Sequence, residues 1–234
     1  MRFFYAPKVE PVHILDPDES KHLVRVLRGQ VGDVFDLVDG KGHRYQGILI
    51  AADKRSCALQ TELVETAAQP RSPLTLVIAP TKATERFEWM LEKAMEYGVA
   101  RIQPIWTERS ERKVAKSDRW QRILISAMKQ SQQLWLTELC EPLPWEKWLS
   151  EADASAGFIA HCEESPKRHF FEAVPLNQPA WIAIGPEGDF SPDEIAAAVQ
   201  LGIQPVTLGP QRLRTETAGL AAIQMHQLAQ LHRG

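Results

Sequence analysis

Cysteine is scarce: there are three, Cys57, Cys140 and Cys162, in 234 residues. An odd count argues against a disulfide framework, and their wide spacing fits no metal-ligand pattern. Long apolar runs are also missing. Nothing approaches the roughly 20 consecutive apolar residues that span a bilayer. The opening MRFFYAPKVEP holds no apolar segment of signal-peptide length, so a cytoplasmic protein without a membrane partner is expected. Positive charge is not in excess either. With 27 Lys and Arg against 30 Asp and Glu, the formal net charge is −3, whereas a chain that coats nucleic acid indiscriminately carries a strong basic surplus. Contact with RNA would therefore run through a local basic patch. Neither G-x-G-x-x-G nor G-x-x-x-x-G-K-[ST] occurs, which leaves a dinucleotide or triphosphate pocket unsupported. Internal repeats and low-complexity segments are absent too.

What remains is ordinary globular composition, 44% hydrophobic and 24% charged, enough for one large domain or two modest ones. From about residue 72 strands and helices alternate. LTLVIAP (74–80), RIQPIW (101–106), GFIAHC (157–162), WIAIG (181–185) and PVTLG (205–209) read as strands. Thr84 and Ser117 are expected helix caps, the first helix carrying Phe87, Met90, Leu91, Ala94 and Met95 at helical spacing and ending at Gly98. Ser191-Pro192-Asp193-Glu194 combines a hydroxyl cap, a first-turn proline and a carboxylate three residues on. That helix should end at Gly202, and a last one should start near Thr217 with Leu220, Ile223, Leu228 and Leu231 on one stripe. Such alternation predicts an α/β fold with a mostly parallel sheet covered on both faces. Residues 1–70 differ: short strands, turn signals at Asp39-Gly40 and Lys41-Gly42, and one helix near residues 18–28 predict a small β-barrel or sandwich. TAAQPRSP (66–73) is the expected linker, dividing the chain into 1–70 and 71–234.

Two loops stand out. IGPEGDFSPDEI and LGPQRLRTETAGLAAI each end an apolar run at Gly-Pro and place polar residues before a helix. In open α/β sheets, ligands sit at the carboxyl ends of strands, where both loops and APTK (79–82) would lie. Glycine permits close backbone approach and proline stiffens the loop. Rigid main-chain donors and acceptors suit an uncharged heterocycle such as adenine, in a cofactor with adenosine and no phosphate; as plain turns the same residues would be equally at home. RSERKVAKSDRWQR (109–122) gathers Arg109, Arg112, Lys113, Lys116, Arg119 and Arg122 against Glu111 and Asp118. It reads as a solvated face or as a patch for RNA phosphate, with Trp120 stacked or buried.

These loops resemble those of the SPOUT methyltransferases, whose C-terminal domain is a trefoil knot, and more narrowly the bacterial 16S rRNA uridine-N3 methyltransferases (RsmE), with their GPEGG, S-x-x-E and LG-x-RILRTETA signatures. MRFFYAP, HLVRVLRGQVGD and VDGKG resemble that family's PUA-like RNA-binding barrel, and KATERFEWMLEKAMEYGVARIQPIWTERS the start of its catalytic domain. The likeness covers nearly the whole chain. Two departures are visible. Asp189 stands where the family usually has the second glycine of GPEGG, and is expected to change the loop's conformation or its contact with RNA. In SAMKQSQQLWLTEL (126–139), Lys129-Gln130 leads to Gln133 and Thr137, where many members have Glu-Gln, an arginine and a proline.

The resemblance implies S-adenosylmethionine as cofactor, held by Gly185, Pro186, Glu187, Gly188, Leu208, Gly209, Leu213, Arg214, Thr215, Thr217 and Ala218, with no metal. It implies 16S rRNA of the small ribosomal subunit as partner, contacted through Arg25, Arg28, Arg109, Arg112, Lys113 and Arg119, with Lys41 and Arg44 extending the patch. It also implies a homodimer through the first and last helices of the knotted domain. For catalysis, Arg214 is expected to stabilise charge on the uracil oxygens. Glu187 and Glu163 are alternative bases, His161 is a further one, and Glu216 is a candidate partner for Arg214.

Overall fold

The computed structural model describes residues 3–69, 71–111 and 113–233. The chain divides into two compact units, Met1–Gln69 with Ile125–Leu136, and Pro70–Leu124 with Thr137–Gly234.

The first unit is a five-stranded sheet with one whole helix and half of another. Its elements are β1 (Phe3–Tyr5), β2 (Val12–Ile14), α1 (Pro17–Arg25), β3 (Val34–Val38), β4 (His43–Ala51) and β5 (Ala58–Thr66), in sheet order β1-β3-β4-β5-β2. The β3–β4 turn falls at the predicted Asp39–Gly42. Asp39 Oδ1 accepts from the amides of Lys41 (2.7 Å) and His43 (3.1 Å), while Gly40 and Gly42 take positive φ, a local turn that asparagine and aspartate favour. Asp16 caps α1 by accepting from the Asp18 and Glu19 amides, with Pro17 in the first turn. The helix stops at Arg25, short of the expected residue 28, and Arg28 itself turns left-handed with φ 55°. Leu23 drops from α1 into a core with Phe4, Leu15, Phe35, Leu37, Leu49 and Leu59. Residues 134–136 close the same unit. The Gly42 amide donates to Leu134 O and the Leu136 amide to Gly40 O, both at 2.9 Å, and Trp135 Nε1 donates to Ala68 O.

The second unit contains β6 (Leu74–Ile78), α2 (Thr84–Glu96), β7 (Arg101–Trp106), the first half of α3 (Ser117–Ser131), β8 (Glu138–Leu139), β9 (Leu143–Pro144), α4 (Trp145–Glu151), β10 (Gly157–Ala160), β11 (Arg168–His169), α5 (Phe170–Ala173), β12 (Ala180–Ile184), α6 (Pro192–Gln200), β13 (Gln204–Thr207) and α7 (Thr215–Arg233). Its strands run parallel in the order β11-β13-β10-β12-β6-β7-β8, with β9 also beside β7. The alternation read from the sequence is present, and β12 is buried along its whole length, as an inner strand covered on both faces must be. One core gathers Val77, Ile105, Trp145, Ile159, Trp181, Phe190 and Ile195. Two caps differ from expectation. Thr84 is the first helical residue rather than the cap, and the Ser117 hydroxyl reaches Glu141 instead of its own helix. The Ser191–Glu194 capping box is formed as predicted. Thr137 fills its departure from the family pattern by donating to Val99 O (2.7 Å) in a buried position.

Strand order places the site. The chain leaves β12 through α6, passes β10, and lays β13 on the far side. It then returns, so that α7 packs on β6, β12 and α2. The carboxyl ends of β10, β12 and β13 therefore stand side by side, the position that ligands occupy in open α/β sheets.

Candidate functional site

Those three strand ends surround a cavity of about 730 Å³. Its apolar lining comes from Ala160, Ile184, Val206, Leu208, Leu213 and Ala218. The rest of its lining comes from Gly185–Glu187 and residues 207–215 of the two loops, with His161, Cys162, Lys167 and Asp189. The two Gly-Pro loops thus share one space. They are joined directly: Thr215, first residue of α7, donates its hydroxyl to Gly185 O at 3.0 Å while buried. Gly185 has no room for a side chain, since a Cβ would come within 3.0–3.1 Å of the backbone at Asp189 and Phe190. Gly209 sits at φ 127°, which other residues rarely adopt.

Segments that follow neighbouring strands hold the Gly185–Gly188 loop. Glu187 Oε1 accepts from the backbone amide of Lys82, four residues after β6 (3.0 Å). Arg109, after β7, donates Nη1 to Gly188 O (2.9 Å) and Phe190 O (3.2 Å). Glu194 of the capping box also accepts from the Glu108 amide (2.8 Å). The segment after β10 is held by Lys167 Nζ, which donates to His161 O (2.7 Å) and Glu163 O. His161 is half-buried, and neither ring nitrogen has a partner. Burial, followed by the Lys167 charge, pushes its imidazole below the usual histidine value, so it is neutral at pH 7.

Of the residues expected to contact a cofactor, Gly185, Pro186, Glu187, Leu208, Gly209, Leu213, Arg214, Thr215 and Ala218 line the cavity; Gly188 and Thr217 lie outside the lining. Of the three expected catalytic residues, Arg214 and Glu187 line it and Glu163 does not. Glu216 is the partner of Arg86 (3.9 Å) rather than of Arg214. Arg214, exposed, makes no side-chain hydrogen bond or ion pair with the described residues. Among the basic residues, Arg109 clamps the loop as above, and Arg119 is paired with Glu88 (2.6 Å). Lys113, Lys116 and Arg122 are exposed in the second unit, as are Arg25, Arg28 and Lys41 in the first, where Arg44 pairs with Glu65 (2.9 Å). Lys129 is tied to Glu19 (2.6 Å). Arg112 lies outside the described residues. Trp120 is buried, its ring 4.8 Å from that of Phe87. The loop contacts of Lys82, Arg109, Lys167 and Asp189 were invisible to sequence reasoning because their partners are 4 to 105 positions away and mostly main chain. Among the described residues no three His, Cys, Asp or Glu side chains could hold a metal ion, and no helix is long and apolar enough to cross a membrane.

Comparison with known proteins agrees with this geometry. Residues 68–227 match the RNA methyltransferase domain model, and residues 15–62 the RNA methyltransferase PUA domain model. The chain is 33% identical to ribosomal RNA small subunit methyltransferase E of Synechocystis, over 95% of this chain and 75% of that protein. It superposes on a crystal structure named as a probable rRNA-methyltransferase from Porphyromonas gingivalis with a TM-score of 0.92 and 40% identity, covering 100% of both chains. It also superposes on ribosomal RNA small subunit methyltransferase E from Neisseria gonorrhoeae, solved bound to S-adenosyl methionine, with a TM-score of 0.85 and 29% identity over 97% of each chain. Matches of this breadth, running through both units, show that the protein belongs to the ribosomal RNA small subunit methyltransferase E family.

Proposed function

We propose that the chain transfers the methyl group of S-adenosylmethionine to N3 of one uridine in 16S rRNA of the small ribosomal subunit. The observation that carries this reading is the shared cavity, whose two Gly-Pro loops are joined by the Thr215–Gly185 bond. The residues present fit the cofactor. The apolar residues Ala160, Ile184, Val206 and Leu208 suit adenine, and the unpartnered His161 nitrogens can take up polar groups of a ligand. The bound cofactor supplies an electrophilic methyl group. The loops from Gly185 to Glu187 and from Leu208 to Ala218 hold and orient it, and alignment of acceptor and donor is the enzyme's main task. Uracil N3 must lose a proton first, which costs about 3–4 kcal/mol at pH 7 for a group two to three pH units more basic, at 1.36 kcal/mol per unit. The uncommitted Arg214 guanidinium offsets that cost by donating to the uracil oxygens. Of the two carboxylates expected as bases, Glu187 is the one that lines the cavity, which favours it as proton acceptor.

Residues 1–70 act as the RNA-binding PUA-like domain and 71–234 as the SPOUT domain. The return of the chain from β13 past β10 to α7 supports a trefoil knot. Arg25 and Arg28 of the first unit and Lys113 of the second, all exposed, contact RNA phosphate, and Arg109, Arg112 and Arg119 are proposed to do the same. The active form is a cytoplasmic homodimer through α2 and α7, a reading supported by exposed Trp89 on α2, exposed Tyr97 just after it and exposed Leu231 on α7; sedimentation should give twice the chain mass. In the decisive assay, purified protein moves label from S-adenosylmethionine to unmodified small subunits, and digestion yields 3-methyluridine. Label on a ribose or another base overturns the assignment.

A further inference from the structure

The backbone of Asp189 has φ 63°, a left-handed conformation in which glycine is at ease and aspartate is one of the few tolerated alternatives. The turn it completes, with the Asp189 amide donating to Pro186 O at 2.9 Å, is one glycine could make as well. Asp189 therefore keeps the conformation expected of a glycine, and what differs is the side chain. Both carboxylate oxygens are in use. Oδ1 accepts from the neighbouring Phe190 amide at 2.8 Å. Oδ2 accepts from the amide of Cys162 at 2.7 Å, 27 positions earlier and just beyond β10. Because β10 and β12 are adjacent and parallel, this second bond ties together two strand ends that border one cavity. Lys167 holds the carbonyls of His161 and Glu163 in the same segment, and the His161 ring nitrogens are unpartnered. Glycine at position 189 would leave the Cys162 amide without this acceptor.

We infer that Asp189 is a positioning residue, a latch that fixes the His161–Cys162 segment against the Gly185–Gly188 loop so that this wall of the methyl-donor pocket is in place before the donor arrives. The inference rests on the reading of the cavity given above. A wall ordered in advance improves affinity because less freedom is lost on binding. The latch reaches main chain of the wall and not the acceptor base, so it acts on donor binding rather than on the methyl-transfer step.

The test compares the full-length wild type with Asp189→Gly, which accepts the same backbone conformation, and Asp189→Asn, which also tolerates it but retains only one acceptor oxygen. S-adenosylmethionine binding is measured by calorimetry, methyl transfer to small subunits by steady-state kinetics, and exposure of the Cys162 amide by hydrogen exchange. Loss of a hydrogen bond to a charged group corresponds to about a ten- to hundredfold change, so Asp189→Gly should raise Kd and KM for the donor by about tenfold or more. Its kcat at saturating donor should stay within about threefold, since uniform binding is what is lost. Its Cys162 amide should exchange faster, and Asp189→Asn should fall between the two. Donor affinity of Asp189→Gly within about twofold of wild type, or a collapse of kcat at unchanged KM, overturns the latch while leaving the pocket standing. A wild-type chain that takes up no S-adenosylmethionine overturns the pocket, and the latch with it.

Discussion

Arg214 lines the cavity with a guanidinium that is committed to nothing else among the described residues. If it meets charge that develops only during transfer, its removal should spare donor binding. Arg214→Ala is expected to lower kcat by about 10²- to 10³-fold, the range for one preorganised donor, with donor affinity nearly unchanged in calorimetry. Arg214→Lys should recover little of the loss, because an ammonium lacks the planar fork of donors. His226 sets a different residue-scale expectation. Buried, it lies 3.3 Å from Ser72 Oγ, and burial pushes its imidazole down to about 4. As pH falls below about 6.5 the unfolded chain takes up a proton that the folded chain refuses. Stability from this group is therefore complete above about 6.5 and is lost between there and about 4, by about 3 kcal/mol at 1.36 kcal/mol per pH unit. Denaturant unfolding between pH 4 and 7 should show this slope, flattened in His226→Gln. Single residues were legible in the sequence where backbone geometry selects them, as at Gly185 and Gly209. Arg109 was legible only as charge: its exposed run resembles a phosphate patch, while its guanidinium clamps two carbonyls.

Helices and strands were more legible than residues, because periodicity and caps are local. The α6 start is the clearest case. Ser191 Oγ accepts from the Glu194 amide and the Glu194 carboxylate from the Ser191 amide, both positions buried. Ser191→Ala should cost about 1 kcal/mol, the usual loss for a cap. Glu194→Ala should cost more, about 1–3 kcal/mol, because the carboxylate also satisfies the Glu108 amide and its loss leaves donors unpaired. Thermal unfolding of both variants orders them; equal losses would mean that the link to Glu108 contributes nothing. The elements that went unread are short: β8, β9 and β11 have two residues each, α5 has four and α4 has seven. Such pieces exist because neighbouring strands supply partners, and no run of that length carries a period of its own.

For the molecule as a whole, the formal charge of −3 makes salt dependence informative. If Lys113 and Lys116 neutralise phosphates, Lys113→Ala and Lys116→Ala should each reduce the slope of log affinity for 16S rRNA against log salt by about 0.7–0.9. Unchanged slopes would remove them from the interface. At this scale the sequence showed an α/β character after residue 72 and a β-rich start, because composition and alternation change there. It did not show that residues 125–136 group with residues 1–69. Trp120, Leu124, Ala127 and Met128 keep helical spacing and burial across that boundary, and the main-chain bonds at Gly40 and Gly42 come from Leu134 and Leu136 just after α3.

That grouping has a consequence for biosynthesis. The N-terminal unit is not finished when its first 69 residues have been made, because the stretch that pairs with Gly40 and Gly42 is translated dozens of codons later. At about 5–20 residues per second, the nascent chain waits several seconds with that edge uncovered, and the Pro70–Leu124 part of the second unit is made before the first can close.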